Sequence, residues 1–345
     1  MKHITNIKRL VLTALLLGLL CSFQKDCSLL HAEDSDPYAP YDDGTPEGWM
    51  IIEGDILVPI IAIEGVFATN FWTNGVVPYE FDTNVTATNQ NRMLAAMAEW
   101  EAVANVQFVE RDGESVYLHI QNSTVNSSFV GMQDDEQVVN IFNWGWRFIM
   151  AHELGHALGM WHEQSRSDRD IYVTIEEDRI ESTCGPDGDE YCGYNFDPHD
   201  EADVYGPYDF NSVMHYGQCA FSTCANCPAD PDNCRTITVN PPWDTDWQDA
   251  IGQRTSLSEL DQLTMSFLYP ADGWVFVNQS YSLAPPCGSF QFGTFLNPFC
   301  DFTTAASAVP TGGTVIIQPG DYSAVGVYTK AMILRAPLGG VILGP

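Results

Sequence analysis

The chain has 345 residues, 45% of them hydrophobic and 12% aromatic, which is enough apolar material for one or two cores and excludes disorder over most of its length. It contains 46 Asp and Glu against 14 Lys and Arg, for a formal net charge of -32. This charge repels nucleic acids and anionic membrane surfaces, so we expect neither as a partner.

The N-terminal segment has the pattern of a secretory signal. Lys2, Lys8 and Arg9 precede an apolar run over residues 10–21, which is too short to span a bilayer. We therefore predict that residues 1–32 are a cleaved signal peptide and that the mature protein is secreted. No later stretch is long and apolar enough for a transmembrane helix, so we expect no membrane association after the signal is removed.

The cysteines predict disulfides, because ten occur in an exported chain and eight of them lie beyond the signal region. Their spacing groups them as Cys184 with Cys192, Cys287 with Cys300, and the set Cys219, Cys224, Cys227 and Cys234. The set of four also has a spacing that a structural zinc ion could use, but an oxidising compartment favours disulfides. Its internal pairing stays open.

Residues 33–71 come before the first compact segment. Residues 33–50 are rich in Asp, Pro, Gly and Tyr and are typical of a linker or extended segment. The run Ile51–Pro59 is apolar on both sides of Gly54 and Asp55, which predicts a turn between two short strands.

From Trp72 the pattern is that of a folded domain. Four segments with alternating or β-branched residues are predicted strands: 75–81, 106–109, 116–120 and 137–142. Apolar residues at spacings of three and four predict a helix over Asn89–Ala104, with Thr88 or Asn89 as its N-cap. Strands combined with a long helix predict a mixed α/β sheet subdomain.

The segment from His152 to His162 reads H-E-x-x-H-x-x-G-x-x-H. It lies in an apolar run that predicts a buried helix over Phe148–Met160. On that helix His152 and His156 leave from one face, with Cβ atoms about 6 Å apart, a separation that one metal ion bridges.

Gly159 predicts how the third histidine reaches the same ion. A glycine at the end of a helix can adopt the left-handed conformation that stops the helix and turns the chain back. That turn would return His162 to the face of the helix that holds the other two histidines.

Three neutral imidazoles leave open positions on a zinc ion, which is the catalytic arrangement. The ion lowers the pKa of a bound water to about 7 and polarises a scissile carbonyl. Glu153 lies beside the ligands and is suited to take the proton of the water and pass it to the leaving amine. The motif predicts one catalytic Zn²⁺ and amide hydrolysis; a helix that only buries core histidines is the alternative.

After the motif, residues 172–175 are strand-like and a loop-rich acidic stretch follows. A last helix is predicted to begin at Ser256 or Ser258 and to end at Leu268. Ser258 and Asp261 have the spacing of a capping box, in which each side chain bonds to the backbone amide of the other residue.

The motif followed by a methionine-containing turn, Ser212–Gly217, is the metzincin pattern, and within that clan the chain resembles the astacin family. The extended motif His152–Val173 and the turn both match the family closely. Shorter matches are Trp72 with Gly75–Tyr79, Ala220–Ser222, Ile251–Arg254, and Leu257–Ser258 with Asp261.

The resemblance covers residues 72–270 and implies an α+β fold: a two-lobed metzincin-type catalytic domain with a mixed twisted sheet, an active-site helix, a Met-turn and a C-terminal helix. It implies a secreted zinc endopeptidase that acts on proteins or peptides. Residues 33–71 then correspond to a propeptide.

The resemblance also implies roles for single residues. The zinc ligands are His152, His156 and His162. Glu153 is the general base, and Met214 lies beneath the metal site. Tyr216 is a further, displaceable ligand that swings away to stabilise the tetrahedral intermediate. Glu163 matches the glutamate that meets the mature N-terminus after the propeptide is removed.

Two departures from the family pattern concern latency and stability. Astacin propeptides resemble an aromatic-x-Gly-Asp sequence whose aspartate occupies the zinc; here Asp55 holds that position, but Ile52 replaces the aromatic residue. Asp55 is therefore either an inhibitory zinc ligand or part of a plain turn. The paired cysteines of the family are missing before Val106 and after Tyr269, and also before the motif.

Residues 271–345 form a second unit, predicted as a short all-β tail. It is similar to the opening coils of a right-handed parallel β-helix of the pectate-lyase type, on these residues: Gly293–Thr294, Asn297–Phe299, Ala305–Pro310, Gly312–Val315 and Gly320–Tyr322. One or two coils are too few to be stable alone. A second class of function stays open: the chain is a secreted surface-binding or adhesion protein in which the tail binds and the protease fold is latent or inactive.

Overall fold

The computed structural model describes residues 49–52, 55–59, 71–183, 192–198, 206–253, 255–280 and 291–344. Within these ranges the strands are β1 Trp49–Ile52, β2 Ile56–Pro59, β3 Val76–Phe81, β4 Gln107–Glu110, β5 Tyr117–Asn122, β6 Ser127–Phe129, β7 Glu136–Ile141, β8 Val173–Ile175, β9 Ile237–Val239, β10 Trp274–Val277, β11 Thr314–Ile317, β12 Gly320–Ser323, β13 Ile333–Arg335 and β14 Val341–Gly344. The α-helices are α1 Ala87–Glu101, α2 Arg147–Ala157, α3 Pro231–Cys234, α4 Asp244–Trp247, α5 Glu259–Leu268 and α6 Phe302–Ala308. None of these helices is both long and apolar enough to cross a membrane.

Seven strands form one mixed sheet in the order β1-β2-β6-β7-β5-β3-β4. The mixed sheet is the one predicted from the sequence. β3, β4, β5 and β7 run parallel, whereas β6 is antiparallel to β7. The short strand β6 was not predicted. The predicted turn between two strands is confirmed, since β1 and β2 form an antiparallel hairpin. This hairpin joins the sheet, because β2 pairs in parallel with β6.

Helices α1 and α2 pack against each other above the sheet and bury the main core. The Trp100 side chain of α1 is fully buried, and its indole N–H donates to the Ala151 carbonyl of α2 at 3.0 Å. The N-cap of α1 is Thr86, whose hydroxyl accepts from the Asn89 amide, so the N-cap predicted at position 88 or 89 was wrong. The helix ends at Glu101, three residues before the predicted Ala104.

The second lobe lies after the motif, where β8 and β9 pair antiparallel around a smaller aromatic core. Two disulfides, Cys219–Cys227 and Cys224–Cys234, hold its long loop together. Disulfides, and not structural zinc, are therefore confirmed for this set of four. Cys192 and Cys300 are disulfide-bonded as well, but the pairs predicted for them include residues that lie outside the described ranges.

Helix α5 closes the part of the chain that contains the histidine motif. Of the two predicted starts, Ser258 is the N-cap, and the capping box with Asp261 is confirmed in both directions.

The C-terminal unit stacks its strands in parallel: β10, β11 and β13 form one sheet, and β12 pairs with β14. Helix α6, which the sequence patterns did not predict, packs against the interior of these coils. The unit shares a buried aromatic cluster with α5, in which Phe267 lies 5.5 Å from Phe276 and 5.0 Å from Phe295 between ring centroids. The tail is thus joined to the part of the chain that contains the motif by a common core.

Candidate active site

Helix α2 and the turn after it bring the three motif histidines together. The helix ends at Ala157, three residues earlier than predicted, because Gly159 adopts the left-handed conformation with φ +107°. The amide of Met160 bonds back to the Gly155 carbonyl at 2.9 Å, which closes this turn. The prediction that Gly159 returns His162 to the other ligands is consistent with this geometry.

The three imidazoles point their Nε2 atoms at one another. The Nε2–Nε2 distances are 3.1 Å for His152 and His156, 3.2 Å for His156 and His162, and 3.3 Å for His162 and His152. All three side chains are buried. Burial lowers the pKa of His156 well below its ordinary value, and the neighbouring imidazoles lower it further, so its neutral form is favoured.

Hydrogen bonds at the other ring nitrogen decide which tautomer is present. Nδ1 of His152 lies 2.9 Å from the Val213 carbonyl, and Nδ1 of His156 lies 2.8 Å from the Met160 carbonyl. A carbonyl only accepts, so the proton sits on Nδ1 and the Nε2 lone pair faces the centre of the cluster. Lone pairs held this close need a cation between them, so the residues fit a zinc ion.

Asp55, in the turn between β1 and β2, meets the same cluster. Its Oδ2 lies 3.1 Å from His152 Nε2, and its Oδ1 lies 3.1 Å from His162 Nε2 and 3.7 Å from His156 Nε2. The four ligand atoms all lie within 4.8 Å of one another. Burial alone would raise the pKa of Asp55, but His162 and His152 lower it below its ordinary value. Asp55 thus lies in the predicted turn and also enters the histidine cluster.

Glu153 is fully buried beside this cluster. Neither carboxylate oxygen has a hydrogen-bond partner among the described residues. Burial raises the pKa of Glu153 well above its ordinary value, and the negative charge of Asp55 raises it further. A buried carboxylate without partners is costly for stability and is typical of a functional group.

Met214 packs directly beneath the helix. A Cβ atom at Gly155 would lie only 2.8 Å from the Met214 sulfur, so glycine is what allows the approach. The turn around Met214 is held by Asp261 of α5, which accepts from the Ser212 hydroxyl at 2.6 Å and from the Val213 amide at 2.9 Å. The sequence patterns predicted neither the close approach of Met214 at Gly155 nor this second role of Asp261.

Comparison with known proteins places this geometry in a family. The model of the astacin peptidase family matches residues 66–270, more than half of the chain. The chain belongs to the astacin family. Members of this family are zinc metalloendopeptidases, and the α+β fold is the metzincin fold predicted from the sequence.

Two relatives and one solved structure are similar to this chain. The chain is 36% identical over 196 residues to an astacin-like metalloendopeptidase of Coturnix japonica, covering 56% of this chain and 43% of that protein. It is 31% identical over 229 residues to high choriolytic enzyme 1 of Oryzias latipes, covering 64% of this chain and 78% of that enzyme. The solved structure of that hatching enzyme zinc-protease superposes with a TM-score of 0.49 at 30% identity, over 59% of this chain and 96% of that one.

The astacin domain places Tyr216 against the third motif histidine. The Tyr216 side chain is fully buried, and its ring centroid lies 4.5 Å from that of His162. The rings of Phe196 and Phe221 pack around it, each at a centroid distance of 5.8 Å. The backbone amide of Tyr216 donates to Gln164 Oε1 at 2.9 Å. Gln164 was also missed, because this contact spans 52 residues.

Glu163 does not belong to the cluster of ligand atoms and instead contacts an arginine and a group of acidic residues. Its Oε1 accepts from Arg166 at 3.0 Å and from the Asp209 amide at 2.7 Å. Burial raises the pKa of Glu163 to about 8, although Arg166 opposes this shift. Burial likewise raises the pKa of Asp209 to about 6. A set of buried carboxyl groups with raised pKa values favours a nearby positive charge.

Proposed function

We propose that this protein is a secreted zinc endopeptidase that hydrolyses peptide bonds of proteins with Glu153 as general base. The observation that supports it best is the convergence of three Nε2 atoms beside a buried carboxyl group that has no partner among the described residues. The proposed units are a signal peptide over residues 1–32, a propeptide over 33–71, a catalytic domain over 72–270 and a β-rich tail over 271–345.

His152, His156 and His162 would hold the ion, and the Nδ1 bonds of the first two to carbonyls keep their rings oriented. When bound, zinc supplies a Lewis acid that activates water and polarises the scissile carbonyl. Glu153 accepts the proton of the attacking water and delivers it to the leaving amine. Its position on the helix next to His152 keeps it within reach of the reacting atoms.

Tyr216 contributes through its phenol. We assign it as a residue that would be a further, displaceable ligand of the ion, and whose phenol donates a hydrogen bond to the oxygen on which negative charge develops. Its ring beside His162 supports this role. Met214 supports the helix from below, at Gly155.

The precursor is latent, with Asp55 in the position that the catalytic water needs. Its two oxygens at 3.1 Å from His152 and His162 support this assignment. After residues 33–71 are removed, the new N-terminal ammonium pairs with Glu163. The acidic surroundings of Glu163, with Asp209 and Asp261 nearby, favour a cation there.

Hydrolysis of casein or gelatin by the processed enzyme tests this function. Chelation of the metal should abolish hydrolysis, and Glu153→Gln should lower kcat by about 10²- to 10⁴-fold while zinc is still bound. The matched control is Glu177→Gln, which makes the same change on an exposed glutamate and should leave kcat unchanged. Full activity of Glu153→Gln would refute the general-base role, and a processed protein with no hydrolysis at all would favour the adhesion alternative.

A further inference from the structure

The backbone of Tyr216 is held on both of its sides by buried side chains. Its amide donates to Gln164 Oε1 at 2.9 Å. Its carbonyl accepts from His215 Nδ1 at 2.7 Å. Gln164, His215 and Tyr216 are all fully buried, so water does not compete for either bond.

Each of these two partners is fixed by the fold. Gln164 lies two residues after the ligand His162, in a short 3-10 turn over Glu163–Ser165, and its own carbonyl accepts from Arg169 at 3.2 Å. It therefore ties the chain that leaves His162 to the chain that enters Tyr216.

His215 is fixed through its other ring nitrogen. Nδ1 donates to the Tyr216 carbonyl, so Nε2 accepts from the hydroxyl of Tyr208 at 2.7 Å. The ring of Tyr208 stacks on Tyr172 at a centroid distance of 4.7 Å. Both nitrogens of His215 are thus used to support the backbone and the aromatic core around Tyr216.

Of the two polar atoms in the Gln164 side chain, the oxygen is the one that makes a hydrogen bond. Its Nε2 is buried without a partner among the described residues. An unpaired buried donor destabilises the fold, and an apolar side chain of the same length would avoid that cost. What such a side chain would lose is the acceptor for the Tyr216 amide.

We propose that Gln164 and His215 are positioning residues for Tyr216. They hold the peptide groups before and after it, so that the phenol moves only by rotation of its own side chain and returns to one place beside His162. The inference rests on the catalytic role proposed above for Tyr216.

A double-mutant cycle tests this in the full chain carrying Asp55→Ala. Gln164→Met removes the acceptor at nearly constant volume and should lower kcat by about ten- to a hundredfold with KM unchanged, since small displacements of a reacting group have effects of this size. In a Tyr216→Phe background the same substitution should lower kcat no further, because no phenol remains to be positioned. Gln248→Met is the matched control: Gln248 also accepts a backbone bond, from the Val239 amide at 2.8 Å, in the second lobe.

His215 provides the second, independent variant. His215→Asn keeps a donor near the position of Nδ1 and should retain most of kcat, whereas His215→Leu should lower kcat as Gln164→Met does. Hydrogen exchange of the Tyr216 amide, with zinc content measured alongside, gives a readout that needs no catalysis. Exchange should accelerate by about tenfold or more in Gln164→Met and stay unchanged in Gln248→Met, because only the first loses the acceptor of that amide.

The outcomes separate the positioning role of Gln164 and His215 from the catalytic role of Tyr216. Equal losses of kcat from Gln164→Met in the Tyr216 and Tyr216→Phe backgrounds, or an unchanged exchange rate of the Tyr216 amide, would overturn the positioning role. If Tyr216→Phe itself leaves kcat unchanged, the catalytic role of Tyr216 fails and the positioning inference fails with it. Loss of zinc from Gln164→Met would instead assign Gln164 to the support of His162, which also contradicts the proposal.

Discussion

Asp55 is the residue on which the proposed latency depends. It is fully buried and its carboxylate meets the three motif histidines, although it lies before residues 66–270, which the astacin family model matches. We predict that the Asp55→Ala precursor hydrolyses casein before any processing, because the catalytic water is then no longer excluded. Activity of the intact chain, with its length verified by mass spectrometry, is the measurement. Adding Glu153→Gln is the control, and unchanged latency of Asp55→Ala would contradict the role given to it.

The raised pKa of Asp209 predicts that the free energy of unfolding depends on pH. Burial raises its pKa from 3.8 to about 6, so the folded state keeps this proton at a pH where the unfolded chain has released it. The protonated carboxyl group of Asp209 stabilises the folded state fully below about pH 4, and this stabilisation is lost as the pH rises through about 6. Its contribution to the free energy of unfolding is roughly 3 kcal/mol at most.

As the pH rises from about 4 to 7, the free energy of unfolding of Asp209→Asn should therefore fall by less than that of the parent chain. Urea unfolding of the precursor at several pH values measures this. Asp178→Asn changes an exposed aspartate and should follow the parent curve. Identical pH profiles for Asp209→Asn and the parent would show that the carboxyl group of Asp209 is not the cause.

The clustering of the three motif histidines could be predicted from the sequence because their geometry is local. His152 and His156 are one helical turn apart, and Gly159 marks the reversal that returns His162. Asp55 could be proposed as a ligand only through the family pattern, since its contact with His152 spans 97 residues. The bond from Tyr216 to Gln164 could not be predicted at all, because no periodicity in the sequence reports a contact across 52 residues.

Among the elements, the first turn of α5 has a double function. The Asp261 carboxylate caps its own helix and also accepts from Ser212 and Val213 of the Met-turn. The Val213 carbonyl in turn accepts from His152 Nδ1 at 2.9 Å. The start of one helix is therefore connected to a metal ligand on another through a single residue of the turn.

We predict that Asp261→Ala lowers the free energy of unfolding by about 2–4 kcal/mol, because three buried donors lose their acceptor. It should also weaken zinc retention during dialysis, since the Met-turn that orients His152 is loosened. Glu259→Ala, in the same turn of α5 but exposed, should change the unfolding free energy by less than about 0.5 kcal/mol. Equal effects of the two substitutions would contradict the double function of Asp261.

The helix ends show where sequence patterns fail for elements. The apolar run that contains the motif continues to Met160, but the helix stops at Ala157 because backbone conformation at Gly159, and not hydrophobicity, ends it. For α1, Thr86 supplies the cap two residues before the first predicted position. Strand β6 has only three residues, too few for alternation to be recognised.

At the scale of the whole molecule, the C-terminal unit is predicted to unfold together with the catalytic domain. Phe276 is 1% exposed and lies in the cluster that joins the unit to α5 through Phe267. Phe276→Ala should lower the free energy of unfolding by about 3–5 kcal/mol in a single transition. Calorimetry measures both quantities.

The control is Phe292→Ala, in the same unit at 68% exposure, which should have little effect on stability. Two separate transitions, with the loss confined to the first of them, would show that the unit is an independent appendage. Composition predicted a boundary near residue 270, but it could not predict that aromatic residues on both sides of the boundary share one core.

The bonds of Asp261 also set an order of events during synthesis. A chain emerges from the ribosome N-terminus first, so Asp55 is made before His152, His156 and His162. Asp261, which holds the Met-turn and through it His152, emerges roughly a hundred residues after His152. The nascent chain therefore already contains Asp55, the proposed inhibitor, when the histidine cluster acquires its final support, and no stage of translation offers a completed cluster without Asp55 in the chain.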